Sequence, residues 1–437
     1  NAKVTAKKEM ISYYKGFNPS SIEEKYKNGT LKIGFFTSRF TTALKFYTRD
    51  CIMACQNLGV KADVLIEQSD ISWSASEECF NHFINSFKPD IIFVIDHFRW
   101  EYPSIPENIP YVCWVQDFMP SLFSAEAAKK VGRYDFVMNI FMTSEEFNSF
   151  GYPEKHLIDG PIMSNPQIYK KYELTEDEIE KYCADICIIS NAGYIEDALE
   201  MLFSVYRNSI PDHIKKALRS ITNIIYDDVY FEKKHYFKVS DIKGAFLDFF
   251  SKKQISIEES ILNQLIENYR IHVLLNIYKT VPVMWLHEKG YNMKIWGKTW
   301  VNHPVLKKYA MGVAANGETM SRILNATKIS VGINMIVSLH PRVYEATLSG
   351  CLYIGNGIPE EHDFCNIRRY MSENDEILFF YSKEDLYKKI DRFLADESAR
   401  NQIVEKGADK IKKVLTYEIL MDNMIKKICE HFPAGSK

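Results

Sequence analysis

The stretch 329–360, ISVGINMIVSLHPRVYEATLSGCLYIGNGIPE, decides the fold. Its first residues, Ile329-Ser330-Val331-Gly332-Ile333, form an apolar, β-branched run bounded by glycine, the pattern of a buried strand. Asn334 ends the run, and a loop leads to His340-Pro341. Proline suits a first helical turn, where its missing N–H is no loss. A helix carrying Arg342, Val343, Tyr344, Glu345 and Leu348 is therefore expected to stop at Gly350. Cys351-Leu352-Tyr353-Ile354 reads as a second apolar strand, closed by Gly355-Asn356-Gly357-Ile358-Pro359. Strand, loop, helix, strand is one βαβ unit of a parallel sheet, and such sheets take ligands beyond the carboxyl ends of their strands.

Asn334, His340, Arg342 and Glu345 all fall in the first turns after that strand. Free N–H groups and the helix dipole favour an anion at the helix start. The Arg342 guanidinium suits a forked contact with phosphate, and Glu345, one turn deeper, suits ribose hydroxyls. A solvated ion pair on a surface helix satisfies the same spacing, and spacing alone does not choose.

Asn334, then Arg342-Val343-Tyr344-Glu345-Ala346 and the small pair Ser349-Gly350, resembles the nucleotide-sugar signature of GT-B glycosyltransferases. It is most similar to the CgeB-like branch, whose pattern is an Asn after the strand, then R-x-[FY]-E-A, two residues and a small-Gly pair. The resemblance covers the C-terminal third of the chain and, more weakly, the first half. It implies that Glu345 binds the ribose and that Arg342 sits by the diphosphate.

The bulk numbers agree with an enzyme of that size. A chain of 437 residues is too long for one ordinary core, so two domains are expected. Hydrophobic content of 46% with 14% aromatic describes a packed globular protein. A net charge of −3 gives no support to a nucleic-acid partner. Nine cysteines, none in a C-x-x-C pair and several inside apolar strands, read as reduced thiols of a cytoplasmic protein. No apolar run is long enough to span a membrane, and no signal peptide is visible. The missing initial Met and the closing Ala434-Gly435-Ser436-Lys437 suit a piece of a longer protein, with an upstream domain or a homo-oligomer possible, and a cloning remnant at its end.

Residues 1–30 read as a polar lead-in with a short helix around Ser20–Tyr26. Residues 31–170 read as a Rossmann-like domain, with strands at Lys32–Thr37, Ala62–Ile66, Ile91–Ile95, Tyr111–Val115 and Phe136–Ile140. No G-x-G-x-x-G follows the first strand, which weighs against a dinucleotide oxidoreductase. Three polar strand ends face one expected ligand edge: Thr37–Arg39, Asp96-His97 with Arg99, and Gln116-Asp117. Asp117, His97 and Asp96 are the candidate general bases for a sugar hydroxyl. Asp117 capping the next helix and Asp96 turning the chain are the alternatives. The pattern Trp114-x-Gln116-Asp117-x-x-Pro120 also resembles a feature of bacterial glycosyltransferases, without an implied role.

Residues 185–415 read as a second Rossmann-like domain in which 195–289 is mainly a helical insertion, its last helix, Ile257–Leu286, kinked or broken near Pro282. The loop Ser190-Asn191-Ala192-Gly193-Tyr194 is small and polar, suited either to backbone contact with phosphate or to a plain tight turn. By resemblance it faces the donor diphosphate, while the strand ending at Gly297 brings Lys298 and Trp300 toward diphosphate and base. A solvated Lys298 and a core Trp300 are the ordinary outcomes. A final helix, 416–437, is implied to cross back onto the first domain, although Leu415-Thr416-Tyr417 stands where the family has H-T-Y.

No H-E-x-x-H, no D-x-D after a strand, no G-x-S-x-G and no Walker A is present, so zinc-protease, hydrolase and P-loop readings fall away. The reading reached is a metal-independent glycosyltransferase with no cofactor beyond a UDP-, GDP- or CMP-linked sugar donor. Its acceptor is a protein, a glycan or a lipid-linked sugar. A nucleotide-sugar epimerase and a non-catalytic nucleotide-sugar-binding protein remain the alternatives.

Overall fold

The structure is a computed structural model describing residues 2–39, 42–67, 77–117, 119, 121–141, 145–206, 210–234 and 237–434. Pro120 of the Trp114–Pro120 pattern, Phe118 within it, and Phe40 and Thr41 just past Arg39 lie outside the described residues. The chain divides into two compact α/β units, one of Asn1–Pro166 with Ile411–Lys437 and the other of Gln167–Lys410. Each is built on a fully parallel sheet with helices, the Rossmann-like pair expected from the alternation of strands and helices.

The first unit holds strands β1 (Lys32–Thr37), β2 (Lys61–Ile66), β3 (Ile91–Ile95), β4 (Tyr111–Val115), β5 (Asp135–Asn139) and β6 (Leu157–Asp159), in the spatial order β2-β1-β3-β4-β5-β6. β3 and β4 are buried along their whole length, which is why they read as unbroken apolar runs without alternation. β2, at the edge, is only half-buried. The helix Tyr417–His431 belongs to this unit and packs on the helix Thr42–Asn57. Thr416 caps it, and Ser164 bridges to Thr416. Asp422 accepts from the Tyr26 hydroxyl at 2.8 Å, and Glu418 accepts from Asn57 at 2.7 Å. The lead-in is more ordered than its polarity suggests. A helix over Ala2–Lys15 buries Met10 and Tyr14, one turn apart, and the Tyr14 hydroxyl donates to the Pro89 carbonyl at 2.8 Å.

The second unit holds β7 (Ala184–Ile189), β8 (Met293–Trp296), β9 (Thr327–Gly332), β10 (Leu352–Asn356) and β11 (Leu378–Phe380), ordered β11-β10-β9-β7-β8. Between β7 and β8 the chain makes the helices Ile195–Val205, Asp212–Tyr230, Val239–Lys252, Glu259–Tyr269 and Leu275–Lys289. Leu218, Ile221, Phe246, Leu265 and Tyr269 form part of their shared core. The expected break near Pro282 is corrected: Pro282 sits inside Leu275–Lys289, and the irregularity is a π-helical turn at Arg270–Leu274. Helix continues through the proline because Val281, Val283, Trp285 and Leu286 around it are all buried, and their packing outweighs one lost hydrogen bond. Among the described residues no helix is long and apolar enough to cross a membrane.

Candidate functional site

In the second unit β7 lies between β8 and β9, so successive connections leave it in opposite directions. That arrangement opens a crevice at the carboxyl ends of β7 and β9. The loop after β7 is bound to the loop after β8. Lys298 donates its backbone N–H to Asn191 Oδ1 at 3.2 Å, Thr299 Oγ1 donates to the Ala192 carbonyl at 2.7 Å, and the Trp300 indole donates to the Ser190 carbonyl at 2.7 Å. The loops touch so closely that a Cβ on Gly193 would lie 2.8 Å from the Thr299 carbonyl oxygen, and one on Gly297 would lie 2.2 Å from that of Ser190. Trp300 is 0% exposed, so its ring anchors this loop pair in the core and presents no face for a base. Asn191 and Lys298 are exposed beside it.

From β9 the segment Asn334–His340 is laced to the chain that follows β10. Asn356 Oδ1 accepts the Asn334 N–H and Asn356 Nδ2 donates to the Asn334 carbonyl, both at 2.6 Å. The Asn334 side chain lies near the Tyr353 hydroxyl. Asp363 accepts the Ser338 N–H at 2.9 Å and its hydroxyl at 2.5 Å, and Leu339 N–H donates to the Cys365 carbonyl at 2.8 Å. Burial pushes the Asp363 carboxyl up from its ordinary range, against those hydrogen bonds.

His340 then caps the helix Pro341–Leu348, its Nδ1 accepting the Arg342 N–H at 3.2 Å. Burial, helped by the charges of Arg342 and Lys279, pushes the His340 pKa down to about 3. The ring is therefore neutral, and because Nδ1 accepts, Nε2 carries the proton. One turn on, Arg342 Nη1 reaches Glu345 Oε2 at 2.5 Å, and the same nitrogen touches the Met320 sulfur. Arg342 Nε is buried with no partner, and Glu345 is 6% exposed. The pair is thus an inward-facing one, not a solvated pair on a surface helix.

Sequence reasoning missed Lys279. It lies on the last insertion helix, and the next residue, Thr280, donates its hydroxyl to the Gly193 carbonyl at 3.0 Å. Among the described residues Lys279 has no hydrogen-bond or ion-pair partner, and burial lowers its pKa. Its charge is felt at His340. The signal was present, since a lysine stands amid the apolar run Leu274–Leu286. The β7 and β9 strand ends thus meet two cations, a neutral imidazole N–H donor, a helix N-terminus and one buried carboxylate. Orphaned donors at a helix start suit a multiply charged anion, and the carboxylate suits hydroxyls beside it.

In the first unit the candidate bases separate by environment. Asp96, with φ of 59°, accepts the Gln116 N–H at 2.7 Å and the Asp117 N–H at 3.2 Å. It ties the end of β3 to the end of β4, and burial pushes its pKa up to about 7. Asp117 is exposed at its backbone turn, and partial desolvation of its carboxyl raises its pKa. His97 Nδ1 lies 2.7 Å from Glu101 Oε2, while Glu101 Oε1 accepts the Phe98 N–H at 2.8 Å. Glu101 therefore orients the ring, a partner sequence reasoning did not single out. Arg99 is taken up structurally, paired with Asp135 and donating to the Pro106 carbonyl at 2.8 Å.

Residues 281–426 match the family described as glycosyl transferase-like. A comparison with curated proteins finds no match. Among solved structures the chain is similar to a glycosyltransferase from Rickettsia africae, at 11% identity over 93% of this chain and 99% of that one, with a TM-score of 0.50. It is also similar to a sucrose-phosphate synthase from Thermosynechococcus elongatus, at 9% identity over 93% and 100%, with a TM-score of 0.51. At such identities the likeness establishes the fold, that of GT-B glycosyltransferases.

Proposed function

We propose that this chain transfers a glycosyl group from a nucleotide-sugar donor held by the second unit to an acceptor hydroxyl held by the first. The observation that carries the reading is the convergence of Lys279, His340 Nε2–H and Arg342 beside Glu345 at the β7–β9 crevice, with the last three inside the glycosyl transferase-like match. We assign the chain to the CgeB-like branch on Asn334 and the Arg342–Ala346 pattern.

In this mechanism Lys279 and Arg342 engage the diphosphate and Glu345 accepts from the ribose. Asn191, Gly193 and Lys298 form the adjoining wall. The bond from the anomeric carbon to the diphosphate oxygen breaks, and its electron pair stays on that oxygen. The cations and the helix N-terminus stabilise the charge so formed, so no metal ion is required. The acceptor oxygen bonds to the anomeric carbon and loses its proton. For an inverting reaction the base is His97, its ring oriented by Glu101 through Nδ1. Asp96 is already engaged by two backbone N–H groups. We place the reaction in the cytoplasm, where nine free thiols stay reduced.

The test is incubation with UDP-, GDP- and CMP-sugars, with and without candidate protein, glycan and lipid-linked acceptors, in the presence of EDTA. Nucleotide release with glycosylated product supports the proposal. Sugar isomerisation would instead identify an epimerase, and a thermal shift without turnover with any donor would identify a binding protein.

A further inference from the structure

The helical insertion contains a groove that shares no lining residue with the crevice described above. Two adjoining cavities of about 510 Å³ and 430 Å³ share His213 and Ser256 as lining residues. One wall is the first part of Asp212–Tyr230, and the other is the segment between Val239–Lys252 and Glu259–Tyr269. Gln254, with φ of 53°, turns the chain there, and the Ile255 N–H donates to the Phe250 carbonyl at 2.8 Å. After the turn Ile255, Ser256 and Ile257 line the groove, with both isoleucines packed on the insertion core.

The larger cavity has an aliphatic stripe, with Glu258 and Gln264 also on its lining. Ile210, Ile214, Ile257 and Leu265 line it, and Ile261 stands 48% exposed at its side. The smaller cavity is basic at its rim. Lys216 and Lys253 line it with the shared His213, and among the described residues neither lysine has a carboxylate partner. Other lysines of the insertion are neutralised locally, Lys252 by Asp248 and Lys243 by Glu259. Two unneutralised ammonium groups beside an aliphatic trough form a matched pair of requirements: an anionic head and a saturated or prenyl tail.

We infer that the groove between Asp212–Tyr230 and the 254–265 segment binds a single-chain anionic amphiphile, with its phosphate monoester at Lys216 and Lys253 and its hydrocarbon chain along Ile210, Ile214, Ile257 and Ile261. This site is separate from the β7–β9 crevice and stands whether or not a sugar is transferred there.

The test is calorimetric titration of the full chain with monododecyl phosphate below its micelle concentration, beside dodecan-1-ol and inorganic phosphate. Saturable one-to-one binding of the monoester is expected, at least about tenfold tighter than either fragment. The pair Lys216→Glu and Lys253→Glu should weaken it by about tenfold or more, and Ile261→Asp should do the same from the apolar end. These positions are exposed, so an unaltered melting temperature in the absence of ligand shows that the variants fold. Equal binding of dodecan-1-ol, equal binding of inorganic phosphate, or indifference to all three substitutions would overturn the proposal. So would a dimer in sedimentation that Ile261→Asp dissociates, since the groove would then belong to a second copy.

Discussion

Thr280 donates its hydroxyl to the Gly193 carbonyl at 3.0 Å, joining a helix and a loop 87 residues apart in the chain. The bond makes the helical insertion part of the crevice, because it sets Lys279 beside the strand ends. The insertion is thereby more than an addition to the surface of the second unit.

Lys279→Met keeps the length and apolar stem of the side chain and removes its charge. Affinity for a nucleoside diphosphate should fall by about ten- to a hundredfold, as for loss of one charge-assisted hydrogen bond in a buried setting. Affinity for the corresponding nucleoside should stay level. Calorimetry with both ligands makes the comparison, and equal losses for the two would show that Lys279 acts on the fold and not on phosphate.

Glu345→Gln tests the buried pair with Arg342. Removing one partner leaves a guanidinium without its carboxylate, and the cost in stability should be about 3 kcal/mol, read from urea denaturation. Nucleotide affinity should fall by a further 1–3 kcal/mol, roughly, if ribose hydroxyls donate to this carboxylate. A destabilised variant with intact affinity would remove Glu345 from the donor site.

His340 is held neutral, with a pKa near 3 against an ordinary 6.5. The unfolded chain therefore binds a proton between those values that the folded chain refuses. Stability should rise with pH across that window, by about 1.4 kcal/mol per pH unit from this group alone. His340→Asn keeps an acceptor for the helix cap and removes the titration. Melting temperatures measured from pH 4 to 7 should be flatter for the variant. Parallel curves would mean that another group sets the slope.

Asp96 shifts in the opposite sense, with a folded-state pKa near 7. Its contribution is fully present below the ordinary carboxylate range and is lost as pH rises through 7. Asp96→Asn retains the oxygen that accepts from Gln116 and Asp117, and asparagine tolerates the left-handed backbone found there. The variant should be more stable than the native chain at pH 8, by about 1–3 kcal/mol, and equal to it near pH 4. A variant less stable at pH 8 would show that the charge of Asp96 is used.

Much of this architecture was legible in the residues. β3, β4, β9 and β10 are short apolar runs ended by polar or glycine residues, and burial on both faces leaves little else for such runs to be. Pro341 and Gly350 marked both ends of the helix behind Arg342. What could not be read was tertiary. Asp363 and Asn356 act on Ser338 and Asn334 from 25 and 22 residues away, a relation no local pattern expresses. Trp300 was ambiguous between a stacking ring and a core ring until the position of Ser190 was known. The π turn at Arg270–Leu274 has no breaker residue, whereas Pro282 looked like one and is absorbed by the packing around it. The helix Ala2–Lys15 was hidden because, among its described side chains, only Met10 and Tyr14 are buried.

The double clasp of Asn356 on Asn334 and of Asp363 on Ser338 has a thermodynamic corollary. A recognition segment whose main chain is already immobilised has little disorder left to surrender when a ligand arrives. Association should consequently be fast and unaccompanied by a slow ordering phase, and discrimination among ligands should reside in their escape rates.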